Sequence, residues 1–124
     1  MKAKILLIDD DQSLRQLYSL ELTNKGFKTV EAVDGDDGLI KAKAEKPNLI
    51  LLDVMMPKTD GIATLGKIKQ DPELKGIPVL MLTNFGQENL VQQAFGLGAD
   101  DYLLKYKVTP MEITEKVEQL LTAK

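Results

Sequence analysis

The sequence predicts one α/β domain spanning residues 1–124, a five-stranded parallel sheet wound on both faces by helices. Three observations lead there. Five short apolar runs alternate strictly with five segments of helical period, the pattern of repeated parallel β-α units with right-handed crossovers. The third run, Asn48 to Leu52, is almost uninterrupted apolar, as a strand covered on both faces requires. A chain of 124 residues with 44% hydrophobic and 28% charged residues has the length and balance for a single core.

The elements follow in order. Lys4 to Ile8 reads as the first strand, and Leu14, Leu17, Tyr18 and Leu22 as the apolar face of a helix stopped near Gly26. Phe27 to Ala32 is the second strand. Asp34-Gly35 then opens a shorter helix running to about Lys46, ended by Pro47. After the third strand come Asp53 and a loop through Gly61, then a helix using Ile62, Leu65 and Ile68. Ile77 to Leu82 is the fourth strand, followed by a helix with Leu90, Val91, Ala94 and Phe95 on one side. Asp101 to Leu104 is the fifth. The last helix has the cleanest period, Ile113, Val117, Leu120 and Leu121, with Thr109 as N-cap and Pro110 at its first position.

Composition narrows the chemistry. The chain has no cysteine, which removes thiol chemistry and fits a reducing cytoplasm. It has no histidine either, so any imidazole base or phosphohistidine must come from another molecule. A net charge of -3 argues against direct nucleic-acid binding. No apolar run approaches the roughly 18 residues of a membrane span.

Ligands of a parallel α/β sheet sit at the carboxyl ends of its strands. Here those ends carry Asp9-Asp10-Asp11, Asp53, Thr83 and, just past the fifth strand, Lys105. Singly, each has a plain structural reading; Asp11, for example, suits a helix N-cap. Together they are chemically matched. Crowded Asp9, Asp10 and Asp53 would repel one another unless a cation neutralised them, and a small oxygen-rich cluster suits Mg²⁺. A hydroxyl and an ammonium beside it are equipment for holding a phosphoryl group. The Gly-rich loop of a nucleotide cradle is absent.

These residues carry a resemblance. Ile8-Asp9-Asp10-Asp11, Leu51-Leu52-Asp53-Val54-Met55-Met56-Pro57 with Asp60-Gly61, Leu82-Thr83, and Gly98-Ala99-Asp100-Asp101-Tyr102-Leu103-Leu104-Lys105 resemble the receiver domains of two-component signalling, over essentially the whole chain. The resemblance implies a flavodoxin-like strand order 2-1-3-4-5. It implies Asp53 as phosphate acceptor and Asp9, Asp10, Asp53 and the carbonyl of Met55 as Mg²⁺ ligands. Thr83 and Tyr102 become the switch pair and Lys105 the phosphate-binding lysine. A histidine kinase or histidine phosphotransfer protein would supply the phosphoryl group. The domain would assist its own charging and slow discharge without being a turnover enzyme. A surface of the fourth helix, fifth strand and fifth helix would carry the signal to an unidentified output protein or domain, and offers a route to a homodimer.

Three departures stand out. Asn84 follows Thr83 where the family commonly has a small residue, and with Phe85 it would modulate access to the acceptor. Tyr106 replaces the usual proline, where a cis bond would cost roughly 2.5–4 kcal/mol. The connection from Lys107 to Glu112 is about one residue longer than the common form. These leave a non-phosphorylated pseudo-receiver, a protein-binding module, as the main rival. A haloacid-dehalogenase-type phosphatase using Asp9 is disfavoured because Lys105 follows Asp100-Asp101 instead of preceding it. A flavodoxin-like cofactor carrier is disfavoured by three aspartates where a phosphate loop belongs.

Overall fold

The computed structural model describes residues 3–54, 56, 60–83, 88–105 and 109–122. Its elements are β1 (Lys4–Ile8), α1 (Gln12–Asn24), β2 (Lys28–Ala32), α2 (Gly35–Glu45), β3 (Leu49–Asp53), α3 (Gly61–Gln70), β4 (Val79–Thr83), α4 (Glu88–Gly96), β5 (Asp101–Leu104) and α5 (Pro110–Thr122). All strand pairs are parallel, and the order is β2-β1-β3-β4-β5. Fold class and strand order agree with the sequence reading.

Strand alternation assigns the two cores. Leu6, Ile8, Ile50, Leu52, Val79 and Met81 face one side, under α2, α3 and α4 with Leu65 and Ile68. Ile5, Leu7, Leu49, Leu51, Leu80 and Leu82 face the other, under α1 and α5 with Tyr18, Leu22, Ile113 and Val117. Both faces are closed, which is why the inner strands lack polar positions until their carboxyl ends.

Side chains set where α1, α2, α3 and α5 start. Asp11 accepts the Leu14 amide, Asp34 that of Asp37 and Asp60 that of Ile62, satisfying donors that a helix leaves unpaired. Thr109 and Glu112 close a reciprocal capping box, each side chain meeting the other's amide at 3.2 Å. Thus the Asp11 and Thr109 caps and the position of Pro110 are as expected. Gly26, with φ at 96°, ends α1.

Several details differ from the expectation. β4 begins at Val79, not Ile77, because the Ile77 amide closes a turn onto Leu74 and Pro78 has no amide to give. β2 begins at Lys28, since the Phe27 amide returns to Leu22 of α1. Leu17 and Phe95, assigned to core faces, are each 45% exposed. On α1 the buried place goes instead to Arg15, at 9% exposure. On α4 Ala94 is buried, while Phe95 turns outward onto β5.

Candidate functional site

Asp9, Asp53, Thr83 and Lys105 meet at the carboxyl edge of β1, β3, β4 and β5, and all four are buried. The strand ends are stitched across that edge by main-chain bonds: Asp9 amide to Ala32 carbonyl, Val54 amide to Leu82 carbonyl, Lys105 amide to Thr83 carbonyl. Carboxylate oxygens of Asp9, Asp10 and Asp53 lie within 4.8 Å of one another, with Asp10 open to solvent. Lys105 Nζ reaches Asp53 Oδ2 at 2.9 Å and both oxygens of Asp9 at 3.3 Å.

Gly61 is part of this geometry. Its amide bonds the Val54 carbonyl at 2.8 Å, and a Cβ there would collide with the backbone of Asp53 and Val54. α3 therefore starts directly against the end of the Asp53 strand.

Asp9 and Asp53 share the Lys105 ammonium, and the protonation energetics reflect that contact. Burial raises the Asp9 carboxyl above its ordinary value, against the opposing pull of the Asp11 amide and Lys105. Burial alone would lower Lys105, but hydrogen bonding and charge from Asp53, then Asp9, raise it well above the usual lysine range. Two buried oxygen atoms, Asp9 Oδ2 and Thr83 Oγ1, also have no hydrogen-bond partner among the described residues. A hard cation and an anionic oxygen group would satisfy both.

Tyr102 sits on β5 beside Met81 of β4, two residues before the register partner of Thr83. It is 39% exposed and packs edge-to-face against Phe95, with ring centroids 6.0 Å apart. Met55, Asn84, Phe85 and Tyr106, together with the Lys105–Tyr106 bond, lie outside the described residues. Sequence reasoning missed Arg15, and noted Gly61 beside Asp60 without its packing role. The only local signal for either was a basic residue on a helix face otherwise apolar, and a glycine directly after a capping aspartate.

A doubly wound sheet with an acidic, lysine-bridged carboxyl edge defines a class of phosphoryl-binding signalling domains, and comparison with known proteins agrees. Residues 5–118 match the model of the response regulator receiver domain, and the chain belongs to that family. It is 40% identical over 98% of its length to the alkaline phosphatase synthesis transcriptional regulatory protein PhoP of Bacillus subtilis, covering 49% of that protein. It is 40% identical over 94% of its length to the DNA-binding dual master transcriptional regulator RpaA of Synechocystis, covering 47%. The chain thus spans about half the length of these curated relatives. Among solved structures, the chemotaxis protein CheY4 of Vibrio cholerae matches with a TM-score of 0.90 at 29% identity, covering 96% of this chain and 98% of that one. These relatives do not support the expectation of no direct nucleic-acid binding: one is named a DNA-binding regulator.

Proposed function

We propose that this domain is a phosphorylatable switch in which Asp53 accepts a phosphoryl group from a phosphohistidine donor. The observation that carries the reading is the buried contact of Lys105 with both Asp53 and Asp9, within a cluster of three carboxylates.

Asp9, Asp10 and Asp53 would hold Mg²⁺, with the Met55 carbonyl assigned by family resemblance alone. The bound ion would neutralise charge on the phosphoryl oxygens. An Asp53 carboxylate oxygen attacks phosphorus, the bond from phosphorus to the donor imidazole breaks, and the freed imidazole takes up a proton. Lys105 stabilises the transferring oxygens by charge, and the Thr83 hydroxyl donates to the bound phosphoryl group. Hydrolysis of the aspartyl phosphate resets the switch, so the domain assists its own charging and discharge without being a turnover enzyme.

The acquired charge would draw Thr83 inward and let Tyr102 follow, changing the surface of α4, β5 and α5. The exposure of Phe95, Tyr102 and Met111 on that surface supports an output contact there, and a homodimer through the same face is one form it takes. The longer relatives are named transcriptional regulators, and the same output is proposed for a longer chain containing this domain. A cysteine-free domain with no described helix fit to cross a membrane suits a cytoplasmic kinase partner.

Incubation with acetyl phosphate and Mg²⁺, followed by intact mass, tests the reading. One phosphoryl adduct is expected, absent without Mg²⁺ and absent in Asp53→Ala. An unmodified wild-type chain would leave the pseudo-receiver, with Asn84 and Tyr106 obstructing the acceptor.

A further inference from the structure

We infer that Arg15 is a positioning residue for the divalent cation site, setting the geometry of Asp9 and Asp10 from behind. The inference rests on the reading of Asp9, Asp10 and Asp53 as metal ligands.

Arg15 lies on the fourth residue of α1, on the side that packs against the sheet. A buried arginine is costly unless its donors are matched, and two of them are bonded here. One guanidinium nitrogen donates to the main-chain carbonyl of Asp9 at 2.6 Å, and Nε donates to Glu31 Oε1 of β2 at 3.1 Å. Glu31 is held in turn, its carbonyl accepting from Lys41 Nζ of α2 at 2.5 Å.

The carbonyl that Arg15 grips belongs to the peptide joining Asp9 to Asp10. The Asp9 amide, in the preceding peptide, is bonded to the Ala32 carbonyl, and Asp9 Oδ1 accepts the Asp11 amide at 2.9 Å. With the peptides before and after Asp9 both held, the Asp9 backbone is fixed, and with it the direction in which its side chain leaves and the position of Asp10. Asp9 and Asp10 are the two acidic residues that directly follow β1. The planar fork of arginine reaches the carbonyl and the glutamate together, which a lysine ammonium does on a flexible stem without fixed angles.

The sign of the effect separates positioning from charge. Arg15 is a cation near a cation site, so deleting its charge alone would tighten metal binding. A purely structural role would lower stability and leave the affinity of the folded protein unchanged. Positioning predicts weaker binding. Partners that orient metal ligands typically change affinity by about 10–100-fold, and an indirect grip through the main chain belongs at the low end.

The test is titration of wild type, Arg15→Met and Arg15→Lys with Mn²⁺, read from the paramagnetic signal of free ion, with Mg²⁺ by competition. Circular dichroism confirms folding of each variant. Arg15→Met is expected to bind roughly tenfold more weakly, and Arg15→Lys, with its charge kept, to fall between. Unchanged or tighter affinity in either folded variant overturns the inference while leaving the site intact. Failure of the wild-type chain to bind either ion overturns the metal-site reading and this inference with it.

Discussion

Lys105 Nζ stands 2.9 Å from Asp53 Oδ2, a buried ion pair between residues 52 positions apart in the chain. The pair joins the end of the central strand to the end of an edge strand. It also places the positive charge beside the carboxylate proposed to react.

Lys105→Met should destabilise the domain by about 3 kcal/mol near neutral pH in metal-free buffer, because it leaves buried carboxylates without their cation. A lysine pKa raised in the fold stabilises fully below its ordinary 10.5, and that stability is lost as pH rises through the folded value. The difference in urea midpoint between wild type and variant should therefore persist through neutral pH and shrink only in strong alkali. A constant difference across that range would contradict the pairing energetics.

Asp9→Asn should stabilise the metal-free domain near neutral pH. The Asp9 carboxyl is raised above 3.8 by burial, so the fold holds its proton more tightly than the unfolded chain does. Stability therefore falls as pH climbs through that window, and the amide avoids the fall. Thermal melts should show the gain growing from strong acid towards neutrality. Saturating Mg²⁺ should then raise the midpoint of wild type well above its response in the variant.

Gly61→Ala should both destabilise the fold and impair phosphorylation. A Cβ at this position meets the backbone of Asp53 and Val54, which cannot step aside without moving the acceptor strand end. Overpacking of this kind costs about 1–3 kcal/mol. Denaturant unfolding reads the stability loss, and intact mass after acetyl phosphate reads the slower adduct formation.

Thr109→Ala should cost about 1 kcal/mol by opening the capping box at the start of α5. The acidic edge is untouched, so the rate of phosphate adduct formation at Asp53 should match wild type once both proteins are fully folded. A stability change below a few tenths of a kcal/mol would show that the box is not formed in solution.

Much of the molecule was legible before any coordinates. Strand identity follows from short apolar runs, and the β-α alternation dictates parallel pairing, so the carboxyl ends of the strands had to share an edge. That reasoning brought Asp9, Asp10, Asp53, Thr83 and Lys105 together correctly. Caps such as Asp11 and Thr109 were legible too, because a cap is a bond between residues about three apart.

The misassignments of Leu17 and Phe95 have one cause. Helical period identifies an apolar stripe but not its edges, which depend on where neighbouring elements lie. α1 meets β2 closely enough that Arg15 finds Glu31 and is drawn under cover, while Leu17 turns to solvent. Phe95 finds the Tyr102 ring on β5 instead of the core.

By itself, then, the sequence determined the fold class, the edge where chemistry gathers and the residue types found there, since these depend on local periodicity and on the order of elements. Only the tertiary structure decided that Lys105 serves two carboxylates, that Gly61 lies against the acceptor strand, and that Arg15 grips the peptide between two acidic residues. Each of these depends on the approach of particular atoms across separate elements, and packing sets that approach where residue spacing along the chain does not.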